Sequence, residues 1–152
     1  MKLSKLFKVE YPPTLVFAAQ TEDPTGVNFV SSKGTNNGIV GRVKLNSDNI
    51  LYLKGSITVP LKGSVLTAFV QPEDFYIAHQ TAVLSPINPM SLLEKLFYCL
   101  SIRNNAFRYN YGRQADRTLR DLELPAKPFK FVTNKKIEQV QKNILDIIKN
   151  IS

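Results

Sequence analysis

The first half of the chain places its hydrophobic residues in short runs, alternating or continuous over four to seven positions, with turn formers between them. Residues 27–31 (VNFVS) alternate as a half-buried strand does, and so does the second half of 39–45 (IVGRVKL). Residues 15–19, 50–53, 56–59, 64–70, 75–77 and 82–84 are further strand candidates. Together these runs predict about seven short strands. Between them, residues 21–26 (TEDPTG), 32–38 (SKGTNNG) and 71–74 (QPED) carry turn chemistry. Residues 1–14 read as an edge or linker piece, because Pro12 and Pro13 forbid a regular helix.

After Pro89 the period changes. Ser91 followed three residues later by Glu94 is a capping box, and Leu92, Leu93, Leu96, Phe97 and Leu100 form a helical stripe behind it. This helix ends near Arg103-Asn104-Asn105. Residues 118–124 read as a last short strand stopped by Pro125, and residues 127–130 as a linker. Ile137, Val140, Ile144, Ile147 and Ile151 are then spaced 3, 4, 3 and 4 apart, a heptad seam of two repeats. That helix either docks on its own domain or pairs with a partner. The pattern runs into the last residue, which suggests a piece of a longer protein. The expected fold is α+β: a β-rich body of about seven short strands, segregated helices and a C-terminal spacer-like helix. Residues 1–128 form the body and 129–152 the terminal helix.

A length of 152 residues suits one domain with a sizeable core. The hydrophobic share of 43% is ordinary, and no run approaches a membrane span. Residues 1–5 are charged as a signal peptide starts, but Lys8, Glu10 and the prolines interrupt the apolar core that should follow. The single cysteine, Cys99, forms no internal disulfide and sits on an apolar helix face as a packing residue; a cytoplasmic location is expected. The net charge of +8 favours polyanionic partners. Its concentration says more than its sum: residues 95–120 hold six basic residues against one acid, with Phe107, Tyr109 and Tyr111 threaded between them. Cations interleaved with aromatic and amide side chains suit a phosphate backbone and its bases, or else a solvated basic face over packed aromatics.

Catalysis finds little support. His79 is the sole histidine, so Ser-His-Asp or Cys-His chemistry would have to run through it, and nothing places Cys99 beside it. There is no Cys/His cluster for zinc, no G-x-G-x-x-G and no P-loop. No acid has a lysine two residues on, as the D/E-x-K of a metal-dependent nuclease requires. No catalytic residue, metal site or cofactor is expected.

Candidate binding residues fall in four places. In residues 32–38, Lys33, Asn36 and Asn37 either form a hairpin turn or present amides to base edges, where asparagine pairs with adenine. Arg42 and Lys44 point to one side of a half-exposed strand. Lys62-Gly63-Ser64 is a tight connection whose backbone N–H groups suit a phosphate, though three residues alone are a weak signal. Arg103, Arg108 and Arg117 suit phosphates, and Arg113 and Gln114 suit base edges.

The order of these features resembles a known family. N-N-G, then I-T-V-P-L-K-G-S-V, F-V-Q-P-E-D-F-Y, E-K-L-F-Y-C and F-R-Y-N-Y-G-R-Q-A-D-R-T-L-R-D-L-E-L-P look like a target recognition domain of the restriction–modification specificity family. Such domains occur in type I S subunits and in related type II enzymes that combine restriction with methylation. The similarity covers residues 12–125 and is most specific at Tyr111 to Gln114. It implies a β-rich reader of double-stranded DNA with a long spacer helix. It also implies a DNA adenine methyltransferase and/or restriction subunit as partner, in trans or fused; the methyltransferase, not this chain, uses S-adenosylmethionine. By the same match Lys62, Ser64, Arg113 and Gln114 face DNA. Relatives often carry an arginine and an acid where this chain has His79-Gln80, which implies a different readout there. A two-part target would need a second copy, by dimerisation through the terminal helix or within a longer polypeptide. Two other readings stay open: an RNA or single-strand binder that stacks bases on Phe107, Tyr109 and Tyr111, and a structural dimerisation protein with an incidental basic face.

Overall fold

Strand β4 (Ile57–Pro60) is buried at all four positions because it runs through the middle of a sheet. It pairs antiparallel with β7 (Thr81–Pro86) and with β5 (Phe69–Val70). Strand β1 (Phe7–Glu10) pairs antiparallel with β7 at the other edge, giving the order β1-β7-β4-β5. The computed structural model of the chain describes residues 1–13, 15–109, 115, 117–126, 139 and 142–146. A second sheet has the order β3-β2-β6: the hairpin β2 (Glu22–Val30) and β3 (Ile39–Val43), with β6 (Phe75–Ile77) parallel to β2. With helices α1 (Leu3–Leu6) and α2 (Leu92–Arg103), the architecture is the expected α+β arrangement.

The largest core cluster joins both helices to the four-stranded sheet. Tyr98 of α2 meets Phe7 of β1 edge to face at 5.5 Å, and its hydroxyl donates to Pro125 O at 3.0 Å. Ser91 caps α2, its hydroxyl accepting the Glu94 N–H. The helix faces the core differently from its leucine stripe. Tyr98, Cys99 and Ile102 are buried, whereas Leu92, Leu96 and Leu100 are 52%, 41% and 59% exposed. The sheet meets the side of the helix that holds the aromatic ring and the branched Ile102. Leu96 and Leu100 instead flank a groove between α2 and β5, also lined by Asn37, Phe69, Val70 and Arg103.

Several local expectations give way to long-range pairing. The first ten residues are a helix turn and a strand, because Leu122 O and Met1 O bond Leu3 N and Leu124 N across the ends of the domain. That contact also replaces the expected strand at 118–124 with a turn of 3-10 helix, Leu119–Asp121, and a single bridge between Lys2 and Glu123. Residues 15–19 are only partly buried and contain a 3-10 turn, Phe17–Ala19. Residues 50–53 contribute one bridge, Tyr52 to Phe75. The turn formers at 21–26 lie inside β2 as a bulge: Glu22 and Val27 both face Val43. Asp23 stitches that bulge, its carboxylate accepting from Thr25 N and Oγ1, which holds the acid below its ordinary pKa. Of the heptad positions, only Ile144 falls among the described residues; it is half exposed in a helical stretch, residues 142–146.

Candidate nucleic-acid interface

The β2–β3 hairpin ends in three consecutive residues with left-handed backbone, Asn36 (φ 52°), Asn37 (φ 54°) and Gly38 (φ 76°). Asparagine and glycine are the residues that tolerate this region. Ser31 N bonds Gly38 O at 2.8 Å, and Gly38 N bonds Thr35 O at 2.9 Å, closing the loop. Asn36 donates from its side chain to Ile39 O. Lys33 is exposed on the same loop.

The connection after β4 comes from the other sheet. Leu61 N bonds Gln80 O at 2.8 Å, and Gly63 takes φ 71° to turn the chain. Lys62 and Ser64 are exposed. The two loops interlock through their glycines: a Cβ on Gly34 would sit 2.7 Å from Ser64 Oγ, and one on Gly63 would sit 3.4 Å from Ser32 Oγ. Lys33, Asn36, Asn37, Lys62 and Ser64 are thereby gathered at one end of the domain. Gln80 joins them through its carbonyl, with φ 61°, and its neighbour His79 is exposed. Ala115, the residue after Gln114, donates its N–H to Leu61 O at 3.1 Å. Tyr111, Arg113 and Gln114 themselves lie outside the described residues.

Other candidates lie elsewhere or spend their donors on the protein. Arg42 donates to Glu73 Oε2 at 2.6 Å and to Gly26 O at 3.0 Å, midway down the hairpin. Arg103 gives Nε and Nη2 to Ala68 O, at 3.1 and 2.7 Å, and lies 4.8 Å over the Phe69 ring. Arg108 rests 5.6 Å over Phe107, which is 66% exposed, and Arg117 is exposed on a turn. One residue of the site was not singled out from the sequence. Gln71, 1% exposed, donates to Asn37 O at 2.8 Å and Thr58 Oγ1 at 2.9 Å. In the sequence it stands only as the first residue of the 71–74 turn, inside the F-V-Q-P-E-D-F-Y segment. Burial pushes the Cys99 thiol up to about 12, so it is held as an inert thiol. Among the described residues no three His, Cys, Asp or Glu side chains converge as a metal site requires.

Loops bearing cations and amides are thus carried on two small sheets. The chain matches, across residues 1–152, the type I restriction modification DNA specificity domain, and it belongs to that family. It is therefore a non-catalytic DNA specificity domain of a type I restriction–modification system. Solved structures share its fold. An S subunit of a type I system from M. genitalium aligns with TM-score 0.63 and 18% identity, over 99% of this chain and 38% of that one. The HsdS subunit from Thermoanaerobacter tengcongensis aligns with TM-score 0.67 and 12% identity, over 100% of this chain and 39% of that one. A structure described for complex assembly and conformational transition of the type I system aligns with TM-score 0.69 and 13% identity, over 99% and 40%. The chain thus spans well under half the length of these structures. No curated protein matches it. No helix among the described residues is long and apolar enough to cross a membrane.

Proposed function

We propose that residues 1–128 read one part of a double-stranded DNA target. The domain would thereby direct a DNA adenine methyltransferase and/or restriction subunit, fused or in trans, to that site. The observation that carries this reading is the interlocking of loops 31–38 and 61–64, which puts cations and amides from two sheets on one end of the body. Lys33, Lys62, Arg108 and Arg117 take phosphates. Asn36, Gln80, Arg113 and Gln114 take base edges, the last two on the covalent argument that Ala115 is tied beside Lys62. The donors of Arg103 on Ala68 O assign it instead to holding α2 on β5. Residues 129–152 begin a spacer that pairs with a second copy or a second domain.

The test is selection from a random duplex pool, with the intact chain and again with its partner subunits. An enriched motif is expected. Arg113→Ala should relax one position of it, by about 1–3 kcal/mol of discrimination. Arg117→Ala should weaken all sequences alike and lower the salt slope by about 1. Enrichment of no motif in either format sinks the reading, and a preference for single-stranded RNA over duplex in competition replaces it with the stacking alternative.

A further inference from the structure

We propose that Gln71 is a positioning residue whose side-chain amide sets the spacing of the two DNA-facing loops, so that sequence discrimination depends on it; this rests on the DNA-reading proposal above. The two loops belong to different sheets. Loop 61–64 leaves the end of β4, and loop 31–38 is the tip of the β2–β3 hairpin. Gln71 follows β5 and is fastened to the first sheet by its backbone: its N–H bonds Ser56 O at 2.9 Å, and its carbonyl accepts Gly55 N at 2.8 Å. Its side-chain NH2 then divides between the sheets. One bond goes to Thr58 Oγ1 on β4, the other to Asn37 O at the hairpin tip.

The acceptor matters as much as the donor. Asn37 is the middle one of the three left-handed residues, so the direction of its carbonyl follows the shape of the whole tip. Reversing the amide would set oxygen against oxygen there, which fixes its orientation. Gln71 Oε1 finds no partner among the described residues. The side chain therefore sits in the core for its two donors, where a methionine would fill similar space without a buried polar group. Two residues on, Glu73 Oε2 accepts from Arg42 at 2.6 Å and from Asn28 at 3.2 Å. The segment 71–73 thus holds the hairpin at tip and stem.

Phosphate contacts tolerate a displaced loop, because lysine side chains follow the backbone charge. Base-edge contacts do not, since a hydrogen bond is lost within a few tenths of an ångström. Freeing the tip should therefore remove discrimination and leave non-specific binding. Three variants of the full chain test this: Gln71→Met, Thr58→Val, and the two combined. Each is measured on the duplex enriched by wild type and on a scrambled duplex, across a salt series, beside a thermal melt.

Gln71→Met is expected to lower the specific to non-specific ratio by about 5- to 150-fold, the range of one lost base contact, with the salt slope unchanged. Thr58→Val removes a bond of the same amide but leaves Asn37 O held, so its ratio should stay within about twofold of wild type. The double variant replaces both core partners with apolar groups and should regain stability over Gln71→Met, yet remain unspecific. Recovery of specificity along with stability in the double variant overturns the proposal, as does an equal loss in Thr58→Val or an unchanged ratio in both Gln71→Met variants. A wild-type chain that enriches no duplex refutes the underlying reading first, and the role of Gln71 falls with it.

Discussion

Gly34→Ala tests whether the two loops meet as described. No positive φ is required at Gly34, so the backbone accepts alanine and the obstacle is Ser64. The new methyl would lie 2.7 Å from Ser64 Oγ and 3.0 Å from Ser64 Cβ, where 3.4–4 Å is ordinary contact. A hydroxyl can rotate away, but Cβ moves only with the backbone, so one loop must retreat by a few tenths of an ångström. Such overpacking costs about 1–3 kcal/mol. Against it, replacing glycine removes freedom from the unfolded chain and stabilises by about 0.4–1 kcal/mol. The overpacking wins, and a net loss of about 0.5–2 kcal/mol is expected. At roughly 2–4 °C per kcal/mol for a chain of this size, the melting temperature should fall by several degrees. Ser64→Gly removes both offending atoms. In a double-mutant cycle read by urea unfolding, Gly34→Ala should therefore be far less costly on the Ser64→Gly background, with a coupling of at least about 0.5 kcal/mol. DNA affinity should fall with Gly34→Ala and recover partly in the double variant. Strict additivity would falsify the interlocked geometry, and with it the main support for a shared DNA face.

Two further predictions concern the helix behind that face. Leu100→Glu should leave stability within about 0.5 kcal/mol. Ile102→Ala, two residues away on the buried side, should cost about 2–5 kcal/mol; chemical denaturation of the pair checks which face the core holds. Burial also makes the Cys99 thiol pH-sensitive. An unfolded thiol ionises near 9.0, whereas the folded one waits until about 12. Its stabilisation is then fully present below pH 9 and is lost as pH rises toward 12, by up to about 4 kcal/mol. Because tyrosines and lysines also titrate in this window, the measure is the difference in pH slope between wild type and Cys99→Ala, which should vanish if the thiol is exposed.

The sequence exposes those parts of the fold that are decided locally. The strands expected at 27–31 and 39–45 appear within Glu22–Val30 and at Ile39–Val43, and the Asn-Asn-Gly signal at the hairpin tip and the Ser91 cap also describe what the backbone does there, because each depends on residues close in sequence. Elements decided by distant partners are not legible in this way. The turn formers at 21–26 do bend the chain, but Val43 faces both ends of the bend, and so the strand continues through it. The first ten residues fold because Met1 and Leu3 find Leu124 and Leu122. Periodicity identifies α2 as amphipathic without saying which side the sheet will occupy, and the leucines turn outward. The same limit applies to the site. Lys33 and Lys62 are each visible as cations beside a glycine, but their meeting depends on Gly34 fitting under Ser64. Gln71, whose bonds join the sheets, lies in the F-V-Q-P-E-D-F-Y segment, but there it reads only as the start of a turn.

Charge density in residues 95–120 is the clearest case of a sequence signal that divides once geometry is known. Arg103 lies inside that basic stretch and Lys62 lies outside it, so counting charge ranks Arg103 as the better DNA contact. The hydrogen bonds reverse the ranking. Arg103 puts two donors on Ala68 O and its guanidinium over Phe69, and Arg120 likewise donates to Val9 O above the Tyr11 ring. A charged donor on a part-buried carbonyl contributes about 1.5–3 kcal/mol, and a cation over an exposed ring about 0.5–1. Arg103→Ala should therefore destabilise by about 2–4 kcal/mol, while DNA affinity measured well below the melting point changes little. Lys62→Ala should do the opposite: stability within about 0.5 kcal/mol, and a salt slope of binding reduced by about 1. Finding the salt slope lowered by Arg103→Ala and not by Lys62→Ala would put the DNA on the helix side of the domain and leave the glycine-linked loops as structure alone.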